Sequence, residues 1–142
     1  MGVEARWEHF EHRADMGVRG IGRTQAEAFE QAAVALTAIL CDPAIVRATT
    51  EVRIHCANPD REILLVDWLN AIVYEMATRH MIFSRYHVEI ADDGSLTGNA
   101  AGEPVDAKRH SPAVEVKGAT LTELVVEQHK DGLWLAQCVV DV

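Results

Sequence analysis

The sequence predicts an α+β fold in a single domain over residues 1–142, with two helices packed on a mostly antiparallel β-sheet structure. Three observations predict it. Two long stretches, opening near Thr24 and Asn58, carry apolar residues at helical spacing. Most other apolar residues alternate with polar ones, as strands with one wet face do. Those strands bunch after the second helix, where turn signals rather than further helical patterns separate them.

Taken in order, Trp7 to Phe10 alternates and reads as a strand, His12–Gly17 as a loop, and Met16–Ile21 as a second strand. Together they predict a hairpin or bent ribbon with Asp15 at its turn. Thr24-Gln25-Ala26-Glu27 is a capping box: the Thr24 hydroxyl can accept from the Glu27 N–H while the Glu27 carboxylate reaches back. Ala28, Phe29, Ala32, Ala33, Leu36, Ile39 and Leu40 then form one helix face, and its alanines predict close packing on a sheet. Asp42-Pro43 stops this helix.

Val52, Ile54 and Cys56 alternate with Glu51, Arg53 and His55 in a third strand. Asn58 is the expected N-cap of the second helix, with Pro59 at its first position. Asp60 and Glu62 then sit where the helix dipole favours negative charge. Ile63, Val66, Leu69, Ile72, Val73 and Met76 give its apolar face, widened by Trp68 and Tyr74, and nothing interrupts it until about His80. Tyr86, Val88 and Ile90 lie on a strand that turns at Asp92-Asp93-Gly94 and returns over Ser95–Ala101. Gly102-Glu103-Pro104 is expected to break it, and Val105–Pro112 to be a polar loop. Val114 and Val116 are expected to start another strand ending at Lys117-Gly118. Leu124 and Val126 lie on the next, Lys130-Asp131-Gly132 turns the chain, and Leu133–Val140 is the last strand.

Composition narrows the function classes. With 142 residues, 49% of them apolar, the chain can bury a real core. The formal net charge is −9 and no Lys/Arg cluster exists, which argues against holding nucleic acid unaided. The balance suits a cation site or a basic partner, and equally suits plain solubility. Cys41, Cys56 and Cys138 are far apart and form no CxxC pair, so they read as small buried hydrophobes. No apolar run crosses a bilayer, and Met1-Gly2-Val3-Glu4-Ala5-Arg6 has neither a signal region nor the Ser or Thr of a myristoylation site. The expected address is the cytoplasm, with no membrane partner.

The candidate chemistry lies at two places. Asp15, Asp141 and the α-carboxylate of Val142 are three hard oxygen donors. If the ends of the chain meet, these carboxylates converge, and a cation such as calcium or magnesium makes that tolerable. The plainer reading of the same spacing is a solvated loop Asp and a fraying end. His12, three residues before Asp15, can orient it or share its ligand. The second place is Gly102-Glu103-Pro104-Val105-Asp106 with His110, an acid–base pair, a metal site or a charged surface loop. Lys117, beside Gly118, can present its ammonium to a phosphate or carboxylate, or can simply guard a sheet edge. Trp7, Trp68 and Trp134 read as core, since no basic groove accompanies them. There is no GxGxxG, Walker A loop, nucleophile elbow or HExxH.

On these residues the chain resembles the archeases, small proteins that assist the GTP-dependent tRNA-splicing RNA ligase RtcB. His12-Arg13-Ala14-Asp15-Met16-Gly17 is similar to the family's His-Thr-Ala-Asp-x-Gly. The Gly22–Phe29 run resembles the opening of its first helix, and Leu64-Leu65-Val66-Asp67-Trp68-Leu69-Asn70 its second. Gly102-Glu103-Pro104-Val105-Asp106 with His110 matches its Gly-Glu-x-x-Asp-x-x-x-His loop, Val116-Lys117 the start of its Val-Lys-Ala-x-Thr segment, and Asp141-Val142 its ending. The resemblance implies a divalent metal, calcium with magnesium or manganese as alternatives, held by Asp15, Asp141 and Val142. It also implies that Lys117 acts in activation, with Asp106, His110 and His12 facing the ligase. Arg13 departs from the family's Thr, and Gly118-Ala119-Thr120-Leu121-Thr122 lacks the Tyr and His of its Ala-Val-Thr-Tyr-His.

The expectation is therefore an activator and not an enzyme: a protein that promotes guanylylation and repeated turnover of the ligase, touching tRNA or broken RNA through it. Two alternatives are a small metal-dependent phosphoesterase, with His110 as general base, and a chaperone-like module with a structural metal.

Overall fold

The computed structural model describes residues 5–142, so the first four residues of the stretch read for leader and acylation signals lie outside the described residues. The fold is α+β, as expected. The strands are β1 (Arg6–His12), β2 (Asp15–Gly22), β3 (Thr50–Ala57), β4 (Met81–Ile90), β5 (Ser95–Pro104), β6 (Gly118–Ala119), β7 (Val125–Gln128) and β8 (Trp134–Asp141). The helices are α1 (Gln25–Leu40), α2 (Arg61–Arg79) and a short α3 (Ala107–His110). One antiparallel sheet runs β1-β2-β8-β6, with β7 also on β8; the other runs β3-β5-β4.

Both helices touch strands of both sheets, so one apolar core is shared among all layers. Phe29, Ala32, Ala33 and Leu36 of α1 and Leu64, Leu65, Trp68, Leu69 and Ile72 of α2 are completely buried there. The alanines of α1 do pack close: a Cβ on Gly20 of β2 would overlap the backbone of Ala28 and Ala32. On the other sheet Trp68 lies over Gly98, where a Cβ would come within 2.7 Å of its ring, and its indole N–H donates to the Phe29 carbonyl at 3.1 Å.

The capping box forms with one change. Thr24 Oγ1 accepts from the Glu27 N–H at 3.0 Å, but the Glu27 carboxylate reaches the N–H of Arg23, one residue beyond Thr24. At α2 the cap moves. Asn58 Oδ1 is taken by the Asp60 N–H at 2.9 Å, and Asp60 then caps the helix by accepting from Glu62 and Ile63. The helix thus starts at Arg61, because Asn58 uses its only side-chain acceptor to turn the chain.

Other expectations are corrected. Gly102-Glu103-Pro104 does not end β5: Gly102 pairs with both Thr50 and Phe83, and Pro104 is the final residue, opposite Met81. A glycine is tolerated here because β4 comes close, leaving no room for a Cβ beside Ile82. Val105–Pro112 is not all loop, since Asp106 caps α3. Val114 and Val116 start no strand; the Ala113 N–H bonds the Leu40 carbonyl at the end of α1, and pairing with β8 begins only at Gly118. Tyr74 is 65% exposed and does not widen the core face of α2, and Trp7 is 37% exposed on an edge strand. Of the cysteines, Cys138 is buried and Cys41 and Cys56 are half-buried, all free thiols.

Candidate functional site

The central strand β8 brings distant segments to one end of the first sheet. β1 and β2 form a hairpin closed by the His12–Asp15 pair, with Arg13 at the turn in the left-handed region (φ 55°). β2 runs beside β8 with Met16 opposite Val140, so Asp15 lies at the level of Asp141. Asp15 Oδ1 accepts the Val142 N–H at 3.4 Å. On the other side of β8, Gly118 pairs with Asp141, and the Lys117 N–H donates to the Asp141 carbonyl at 2.8 Å. Register alone therefore collects His12, Asp15, Asp141, Val142 and Lys117 at one sheet end.

Asp15 and Val142 also line a cleft of about 200 Å³ with His9, Ala38, Ile39 and Val114. Its apolar wall lowers the local dielectric beside a half-buried carboxylate and strengthens any charge contact made there. Asp141 and Lys117 are exposed. Among the described residues none of Asp15, Asp141 and Lys117 takes part in an ion pair. Among the same residues no three His, Cys, Asp or Glu side chains stand together as a metal cluster. The site has two side-chain carboxylates, those of Asp15 and Asp141, at one level of neighbouring strands. Carboxylate oxygens are the donor chemistry that calcium, magnesium and manganese take, so the residues present fit a hard divalent cation.

The second constellation is built differently. Glu103, at the end of β5, accepts from the Arg47 N–H at 2.6 Å, from Arg109 Nη2, and from His110 Nε2 at 3.1 Å. These donors, led by the Arg47 N–H, hold its pKa down to about 2. The His110 side chain is fully buried. Its Nδ1 accepts the Asp106 N–H at 2.8 Å, which leaves the ring proton on Nε2 facing Glu103. Asp106 itself is exposed and caps α3 by accepting from Lys108 and Arg109; those backbone donors lower its pKa. No hydrogen bond or ion pair joins this cluster to Asp15 or Asp141 among the described residues. It clamps the start of the segment that runs from Ser111 to Lys117.

One residue at the site entered the sequence reading only within the second-helix motif, with no role assigned. Asn70 of α2 accepts the Ala119 N–H through Oδ1 at 2.8 Å, tying β6 to the helix. The available signal was a polar, poor helix former in the middle of an otherwise good helix.

Comparison with known proteins bears on this arrangement as a whole. The profile of the Archease protein family matches residues 7–142. The chain is 37% identical over 140 residues to Protein archease of Pyrococcus furiosus, covering 96% of this chain and 99% of that one. It is 33% identical over 141 residues to Protein archease of Methanosarcina barkeri, with 96% of each covered. The solution structure of Methanobacterium thermoautotrophicum protein 1598 superposes with a TM-score of 0.83 at 34% identity, over 96% of this chain and 98% of that one.

Proposed function

The chain belongs to the archease family, and from that premise we propose that it is the protein cofactor of an RtcB-type, GTP-dependent RNA ligase of tRNA splicing and RNA repair. It acts as an accessory and not as a catalyst. It promotes guanylylation of the ligase's active-site histidine and so allows repeated turnover. The observation that carries this reading is the register of β2, β8 and β6, which gathers Asp15, Asp141, Val142 and Lys117 at one exposed end.

Asp15, Asp141 and the Val142 carboxylate would hold a divalent cation, calcium in our reading, with magnesium or manganese as the alternatives. Such an ion would supply positive charge that offsets the repulsion among these carboxylates. Asp15 orients Val142 through its bond to the Val142 N–H, and Lys117 offers an exposed ammonium to phosphate. His12, opposite Asp15, forms the rim toward the ligase. Asp106 and His110 serve from behind, holding the segment that delivers Lys117. The net charge of −9 favours approach to a ligase whose RNA channel is basic. Contact with tRNA is then indirect, and the place of action is the cytoplasm; no described helix is long and apolar enough to cross a membrane.

The phosphoesterase reading needs His110 as a general base, and its buried ring with both nitrogens engaged does not suit that role. The test is multiple-turnover RNA joining by the cognate ligase with GTP and manganese, with and without this protein. Repeated turnover with wild type, and a stalled ligase with Lys117→Ala, is the expected result. Turnover unchanged by wild type would overturn it.

A further inference from the structure

We propose that Asn70 is the positioning residue for Lys117, acting through its hydrogen bond to the outer edge of β6. The inference rests on the reading of Lys117 given above and adds the part that holds it in place.

β6 is only two residues long and lies at the end of its sheet. One side is held by β8 through the Gly118–Asp141 and Ala119–Val140 pairs, with flanking bonds from the Lys117 and Thr120 N–H groups. Among the described residues the other side has no strand. There the Ala119 N–H donates to Asn70 Oδ1 at 2.8 Å, so a side chain from α2 takes the place a neighbouring strand would have. The fit is close: a Cβ on Gly118 would stand 3.0 Å from that same oxygen. Behind Asn70, Trp68 and Leu69 are completely buried, so the acceptor is mounted on a rigid element.

Lys117 is exposed, and its long side chain adds freedom of its own. What the fold can control is the position of its backbone, and that is set by a two-residue strand gripped from both sides. Releasing the Asn70 side leaves Lys117 anchored through β8 alone. A strand this short frays readily when one edge is free. Asparagine is a poor helix former, and at Asn70 its amide oxygen serves another segment rather than its own helix.

The experiment compares wild type, Asn70→Ala, Asn70→Asp, Lys117→Ala and the Asn70→Ala/Lys117→Ala double variant. Three readouts are taken: ligase activation against protein concentration, thermal midpoint, and exchange of the Ala119 amide followed by NMR. Asn70→Ala is expected to lose protection at Ala119 and to lower maximal activation about fivefold, the fold-change that one hydrogen bond carries. Asn70→Asp, which keeps the acceptor, is expected to restore most of both. The double variant is expected to behave like Lys117→Ala. Wild-type activation by Asn70→Ala despite lost protection at Ala119 would overturn the inference. So would a further loss in the double variant that tracks its thermal midpoint, since Asn70 would then act only on stability. Full activation by Lys117→Ala would remove the reading of Lys117 and this inference with it.

Discussion

The N–H of Val142 points at Oδ1 of Asp15 across 3.4 Å, joining residues 127 positions apart. The bond is long and therefore weak. It commits one carboxylate oxygen to the backbone, and among the described residues the other takes part in no hydrogen bond. Asp15 thus ties the hairpin turn to the end of β8 with one oxygen to spare.

Asp15→Asn keeps an amide oxygen for the Val142 N–H and removes the charge. The fold should survive, with a thermal midpoint near wild type. Ligase activation should fall to background, and calcium affinity should drop by at least about tenfold, since even residues behind a ligand cost that much. Titration calorimetry with calcium and the turnover assay check this. Wild-type affinity in the variant would sink the proposed donor set.

Deleting Val142 moves the α-carboxylate onto Asp141 and removes the N–H that Asp15 accepts. Calcium binding and activation should both fall, while β8 keeps its pairs with β2 from Met16 to Gly22. Circular dichroism should be unchanged. A variant that still activates fully would show that the last residue is dispensable.

Glu103 is held at about pKa 2 by the Arg47 N–H, then Arg109 and His110. A depressed carboxylate contributes stability that is complete above its unfolded value, near 4.3, and that is lost as pH falls toward 2. The thermal midpoint should therefore decline through that window. Glu103→Gln should lie below wild type at neutral pH and converge with it in acid. Parallel curves across pH 2 to 6 would contradict the assignment.

Gly20→Ala should be among the most damaging single changes in the first sheet. The new methyl would meet the backbone of Ala28 and Ala32, which cannot swing aside as a side chain can. Overpacking of that kind costs about 3 kcal/mol. Denaturant unfolding should show it as a lower midpoint with an unchanged slope.

Where a local rule acted alone, the sequence showed the structure plainly. Thr24 and Glu27 mark the start of α1 because the capping residues touch only their own neighbours. Asn58 and Asp60 competed for the same role, and the loser was decided by which acceptor the turn consumed. Gly102 and Pro104 look like breakers, yet β4 and β3 hold them in a strand; tertiary pairing outweighed propensity. The acidic end was legible as a question about Asp141 and Val142, but its company was not. Asn70 reaches Ala119 across 49 positions, and no periodicity encodes that meeting. His110 looked like a surface loop histidine, and only the fold shows it enclosed against Glu103.

The order in which the strands are joined differs from the order in which they are made. β8 is the last element along the chain, yet it sits between β2 and both β6 and β7. A ribosome therefore delivers the hairpin, both long helices and the whole second sheet before the strand that closes the first sheet. Until β8 emerges, one edge of β2 is open, and β6 and β7 have no neighbour to pair with. The acidic end is assembled only once β8 has emerged, so any product interrupted before β8 lacks Asp141 and Val142 and leaves Asp15 and Lys117 without the strand that brings them together. Such a fragment also exposes an unpaired sheet edge, the kind of surface that chaperones and proteases engage.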